Sequence, residues 1–161
     1  FSAAGIGQLE IAGDVIASAR ISTSAEDGTF GLHALAFRTE EAVGSGEDPV
    51  FIAHLRNDGL LRSNIGFAET SGFPAQAVVE INDQRFTVHV PPFGHRQIPI
   101  DVPGEVLLAR VSVEGEGRLL AYGATVDKES RDPIFIPAQR PTRGEAVPLV
   151  AHDPVQMTCD R

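Results

Sequence analysis

The sequence has no tryptophan, one tyrosine, one cysteine and one methionine, and its only lysine is Lys128. Each shortage excludes something. A lone Cys159 makes no internal disulfide and no cysteine-based zinc cluster, and it leaves the redox compartment open. With one lysine, and with arginines spread from Arg20 and Arg38 through Arg56, Arg62, Arg85, Arg96, Arg110 and Arg118 onward, no basic cluster exists to neutralise phosphates. Nucleic acid and anionic membrane surfaces are therefore poor partners for a chain of net charge −9. No apolar run approaches the roughly 18 residues of a membrane-spanning helix. No segment carries an apolar stripe at i, i+3, i+4, i+7 long enough for a surface helix.

What is present is period two. At 161 residues and 42% hydrophobic content the chain suits one domain, with a core of Val, Ile, Leu and Ala. "VIASARIS" places Val15, Ala17, Ala19 and Ile21 on one face, an Asp27-Gly28 turn follows, and "HALAFR" reads as the return strand. Ala77, Val79 and Ile81 alternate with Val78, Glu80 and Asn82. After "NDQR", Phe86, Val88 and Val90 alternate with Thr87 and His89, which predicts an antiparallel pair. Ala109, Val111 and Val113 oppose Arg110, Ser112 and Glu114, and after "EGEG" the strand "RLLAYGATV" is apolar on both faces, as a central strand is. "DPIFIPA" is a short last strand. These runs, punctuated by 16 Gly and 11 Pro, predict an all-β antiparallel sandwich, Ig-like in general architecture, with a distorted barrel as the alternative. Hairpins at 77–90 and 106–126 favour the sandwich. The expected domain is 1–139, with 140–161 a Pro-rich tail or strap.

The stretch "GATVDKESRDPIFIPAQ" raises the question of a metal. Asp127, Glu129 and Asp132 are a candidate calcium set, since that ion takes six to eight oxygens. The glycine and late bidentate glutamate of an EF-hand loop are missing, and Lys128 and Arg131 oppose the cation. The competing reading is an Asx-type turn in which Asp127 or Asp132 caps backbone N–H groups ahead of Pro133. Among His33, His54, His89, His95 and His152 no metal-binding spacing occurs, so a small metal-dependent enzyme requires His33, His54 and His89 to converge in the fold. There is no GxSxG elbow, Glu114 and Glu116 sit in an exposed Gly-flanked turn, and "GSG" at 44–46 opens no helix. Sugar recognition needs an aromatic platform, for which Phe93 in "PPFGHR" and Tyr122 are the candidates, with Phe30 and Phe73 behind them.

Three segments resemble a known module. "LLRSNIGFAETSGFPAQAVVEI", "VHVPPFGHRQIPI" and "GRLLAYGATVDKESRDPIFIPAQ" are similar to the successive signatures of extracytoplasmic β-sandwich modules in bacterial secreted or surface proteins, and "ASARIST…GTFG" fits the upstream half. The likeness runs over roughly residues 9 to 139. Arg62, Asn64 and Gly66 occupy one signature, and Tyr122, Asp127, Asp132, Pro133 and Phe135 another. The chain departs at Ser130-Arg131, where the module commonly has Thr-Gly. The resemblance implies no catalytic residue. It implies architectural roles, with Asn64 and Asp127 accepting backbone N–H bonds and Arg62 forking onto a carboxylate. The expectation is a non-catalytic extracellular structural, spacer or adhesion module, in a chain whose start at Phe1 reads as a processed or excised piece. Its partners would be neighbouring domains of the parent protein or an extracellular surface ligand. A carbohydrate- or calcium-dependent binding module is the alternative.

Overall fold

The structure is a computed structural model and describes residues 9–25 and 28–141. Asp27, the side chain of Phe30, His152 and Cys159 lie outside the described residues. Two four-stranded antiparallel sheets pack face to face. One has the order β10-β9-β4-β7, formed by β10 (Pro133–Pro137), β9 (Leu119–Asp127), β4 (Leu61–Glu69) and β7 (His95–Pro99). The other has the order β3-β8-β5-β6, formed by β3 (Val50–Asn57), β8 (Gly104–Gly115), β5 (Ala75–Ile81) and β6 (Gln84–Val90). A separate hairpin, β1 (Ser18–Ala25) with β2 (Gly28–Leu35), lies against β10. The result is all-β and sandwich-like.

Alternation builds the core. Ile65 and Phe67 on β4 face Ile52 and Leu55 on β3, with Val79, Ile81, Ala109 and Val111 completing the layer, all buried. The partners of two alternations turn outward, with Thr87, His89, Arg110 and Glu114 exposed, whereas Val78 on β5 is buried like its neighbours. Ser63, Thr125 and Glu69 are the polar exceptions among the described residues of the interior, and the Ser63 and Thr125 hydroxyls satisfy each other at 2.6 Å across the β4–β9 pair. β9 lies between β10 and β4, the central position its two apolar faces predict. The β5–β6 hairpin forms in the expected register, Ala77 opposite Val88.

Two expectations are corrected. Residues 106–126 are not a hairpin, because β8 and β9 belong to different sheets. Gly115, at φ +98°, turns the chain out of β8, and the Arg118 N–H then donates to the Glu69 carboxylate at 3.2 Å. Leu119 consequently starts β9 opposite Glu69 of β4 rather than beside β8. The first strand also begins later than Val15. Ser18 pairs with Leu35, the last residue of β2, so the residues before Ser18 have no strand opposite and Ile16 is fully exposed. β2 likewise ends at Leu35, short of Arg38.

Edge protection is local. The backbone of Gln139 pairs with Phe51 through two 2.8 Å hydrogen bonds, so the segment after β10 lies along the free edge of β3. One residue on, Arg140 donates to a Glu47 oxygen and to the Ala42 carbonyl, each at 3.0 Å.

Candidate functional site

On the outer face of the β10-β9-β4-β7 sheet the registers define three rows. At one end Arg62, Val126 and Pro133 stand side by side on β4, β9 and β10. The next row is Pro99, Asn64, Ala124 and Phe135, and the third is Gln97, Gly66, Tyr122 and Pro137. Strand pleating puts these residues on one side and Ser63, Ile65 and Phe67 on the other. Small residues in the middle of the face leave a trough, and the β1–β2 hairpin covers it with Ile21, Ser22, Gly31 and Leu32. The half-open cleft has a volume of about 600 Å³.

Tyr122 forms the floor. Its ring lies across Gly66, where a Cβ would come within 2.1 Å of the ring carbon bearing the hydroxyl, so only glycine at 66 admits this placement. Phe135 stacks beside it with ring centroids 5.1 Å apart, and Phe37 meets Phe135 edge-on at 5.9 Å. On the other side the His95 ring stacks at 5.9 Å, and its Nε2 shares a 2.8 Å hydrogen bond with the Tyr122 hydroxyl. The result is an aromatic shelf running across the sheet. Burial raises the Tyr122 pKa and, with Arg96 nearby, lowers that of His95, so the pair rests as phenol and neutral imidazole.

The opposite end of the cleft is net cationic, with Asp127 among three basic side chains. The β9–β10 turn closes through the Arg131 N–H donating to the Asp127 carbonyl at 3.0 Å and the Asp127 N–H donating to the Asp132 carbonyl at 3.1 Å. Asp127 Oδ1 accepts the N–H groups of Glu129 and Ser130 at 2.8 and 2.7 Å, and these bonds hold its pKa below the usual carboxylate range. This is the Asx-type turn, made by Asp127, while Asp132 contributes through its backbone. Arg131 takes the left-handed φ of +63°, filling with a side chain the place where the resembled module has glycine. Arg131 and Lys128 join Arg62 around the cleft. Lys128 Nζ donates to the Asp58 carbonyl. Arg62 does not fork onto a carboxylate: among the described residues neither it nor Arg131 has an ion-pair partner. Asn64 makes no backbone cap and lines the cleft instead.

The remaining candidates fall elsewhere. Phe93 is at the far end of β4 from Arg62, its ring over Gly72, and it does not share a site with Tyr122. Its own loop is built on Glu69, a fully buried carboxylate. Glu69 Oε2 accepts the Phe93 and Gly72 N–H groups at 2.9 and 2.8 Å, and Oε1 accepts Ser71 N–H and Oγ–H at 2.7 and 2.5 Å. Burial pushes the Glu69 pKa upward, but these donors together outweigh it and hold the value at about 2. His54 sits in the irregular stretch of β3 at φ +59°, and His89 is on β6, the opposite edge of that sheet, while His33 is in the hairpin. Among the described residues no three His, Cys, Asp or Glu side chains converge to hold a metal ion, Asp127, Glu129 and Asp132 included. Glu114 lies within 3.6 Å of Arg85 on an exposed strand face.

Sequence reasoning missed Gln97, because β7 has only five residues and a weak alternation. Glu69 was signalled only by the acid-x-Ser-Gly order of "ETSG", a local pattern for side-chain capping of a turn. The chain matches no protein-family model, no curated protein and no solved structure.

Proposed function

We propose that this is a non-catalytic extracellular β-sandwich module, Ig-like in general architecture, that serves as a structural, spacer or adhesion domain. The observation that carries the reading is how the acidic side chains are used. Glu69 gathers the β4–β5 and β6–β7 loops, and Asp58 accepts Leu60 and Leu61 N–H groups while paired with Arg56 at 2.7 Å. Glu47 clamps Arg118 at 2.6 Å and Arg140 at 3.0 Å. Carboxylates held low by donors tie loops together and are poorly suited to proton transfer near neutrality. The reading is tested by incubating the purified chain with chromogenic ester, glycoside, phosphate and peptide substrates. Rates equal to buffer are expected. Turnover that disappears in His95→Gln or Tyr122→Phe, the hydrogen-bonded pair at the cleft floor, overturns it.

A second reading, a ligand-binding module, is favoured by one feature: the roofed cleft with Tyr122 and Phe135 in its floor and unpaired arginines at its end. Calcium dependence belongs to this reading only if the 127–132 turn opens to free Asp127.

A further inference from the structure

We infer that the cleft under the β1–β2 hairpin is a binding site for an acidic oligosaccharide, a short chain of sugar rings bearing carboxylate or sulfate. The inference deepens the ligand-binding reading and rests on it. Three kinds of side chain line one cleft. The registers place Tyr122 and Gln97 in one row and Phe135 and Asn64 in the next, with Arg62 in the row beyond, and Arg131 of the β9–β10 turn lines the same cleft. An aromatic face accepts the apolar face of a sugar ring, amides offer both donors and acceptors to hydroxyls, and guanidinium groups fork onto carboxylate or sulfate. An acidic oligosaccharide uses all three.

Length and charge narrow the class further. Arg62 and Gly66, over which Tyr122 lies, are four residues apart on β4, about 13 Å at the usual strand rise. One sugar ring cannot lie on Tyr122 and present its acid to Arg62, whereas a di- or trisaccharide can. The chain as a whole carries −9, so it has no general affinity for polyanions. Against that background the cleft lining is a local reversal of sign: Arg62 and Arg131, which have no ion-pair partner among the described residues, and Lys128 outnumber the one carboxylate there, Asp127. The left-handed backbone at Arg131 is a further departure, since a side chain stands at a turn position suited to glycine.

The absence of tryptophan supplies the assay. Tyr122 is the sole tyrosine, so tyrosine emission reports this cleft and nothing else. The full chain is titrated with a galacturonate trisaccharide, with its methyl ester, and with a sulfated galactose trisaccharide, following Tyr122 emission and binding heat. The expected result is saturable binding of the carboxylated or the sulfated trimer, which also identifies the anion. The methyl ester should bind about tenfold or more weakly, the loss of one charge-assisted hydrogen bond. Arg62→Gln and Arg131→Gly, both at exposed positions, should each weaken the acid by about tenfold on the same ground. Arg85→Gln, which removes an equal charge from the other sheet, should change nothing.

Equal binding of ester and acid overturns the acidic inference and leaves the ligand-binding reading standing. Silence from all three sugars overturns both. Equal weakening by Arg85→Gln also overturns the inference, because the attraction is then general charge. Binding accompanied by new reducing ends sustains the site and overturns the non-catalytic reading instead.

Discussion

Arg131 carries two costs that point in opposite directions. An L-residue in the left-handed region is strained by roughly 1–2 kcal/mol, and glycine is not. Arg131→Gly should therefore stabilise the fold by about 1 kcal/mol after the greater freedom of unfolded glycine is counted. In a domain of this size the melting midpoint should rise about 3 °C, measured by calorimetry. The same substitution is expected to weaken acidic sugar binding, so stability and affinity should separate in a single variant. Glu69 makes the contrary case. Removing its carboxylate leaves the part-buried N–H groups of Ser71, Gly72 and Phe93 without their acceptor, and Glu69→Ala should cost about 3 kcal/mol, read from urea unfolding. Asp127 already spends Oδ1 on two backbone amides, so excess calcium and chelator should give the same melting midpoint. A raised midpoint in calcium would restore the 127–132 turn as a metal site.

Among the elements, β4 and β9 contrast with the β1–β2 hairpin. β4 and β9 are each paired on both sides and bury Ile65, Phe67, Leu119 and Ala121. The hairpin is paired only with itself, and Ile21 stays 60% exposed. Amide exchange should therefore be fastest in Ser18–Leu35 and slowest in β4 and β9, because local opening of the hairpin exposes little apolar surface. Uniform protection across all three would contradict this. A roof that opens more easily than the floor also suits the proposed ligand-binding cleft. Gly66→Ala strikes the floor. The added methyl must displace the Tyr122 ring, costing about 1–3 kcal/mol as overpacking does and breaking the contact with His95. Tyrosine emission of the variant, compared with that of the parent chain, shows whether the ring has moved.

For the whole molecule, acid should be the weak side. Glu47 is held at about 2 chiefly by Arg118, against some burial and with help from Arg140, and Glu69 at about 2 by its loop donors against burial. Both lie below the ordinary 4.5, so the folded state holds fewer protons than the unfolded chain between those values. Their contribution is complete above pH 4.5 and drains away as pH falls toward 2. The midpoint of thermal unfolding should fall over that window, with a shallower slope in Glu47→Gln. An unchanged slope in that variant would mean that Arg118 and Arg140 do not hold Glu47 in solution. Because Glu47 joins Arg118 and Arg140, its loss should also loosen the segment that covers the β3 edge.

How much of this was legible follows from chain distance. The β5–β6 hairpin, the central place of β9 and the Asx turn at Asp127 depend on neighbours a few residues away, where alternation and turn chemistry act directly. The sequence by itself thus determined an all-β antiparallel chain, most of its core faces, and the turn that answers the question of "DKESRD". It could not separate β8 from β9, since β9 pairs with β4, far away in the chain, and contacts such as Arg118 N–H to Glu69 join residues 49 apart. Nor could it place Tyr122 over Gly66 or set Gln97 beside them, because strand register joins residues through space. Only the tertiary structure decided that Arg62, Arg131, Asn64, Gln97, Tyr122 and Phe135 share one cleft. Period two assigns each side chain to a face, whereas which faces lie opposite is settled by packing two sheets and a hairpin together.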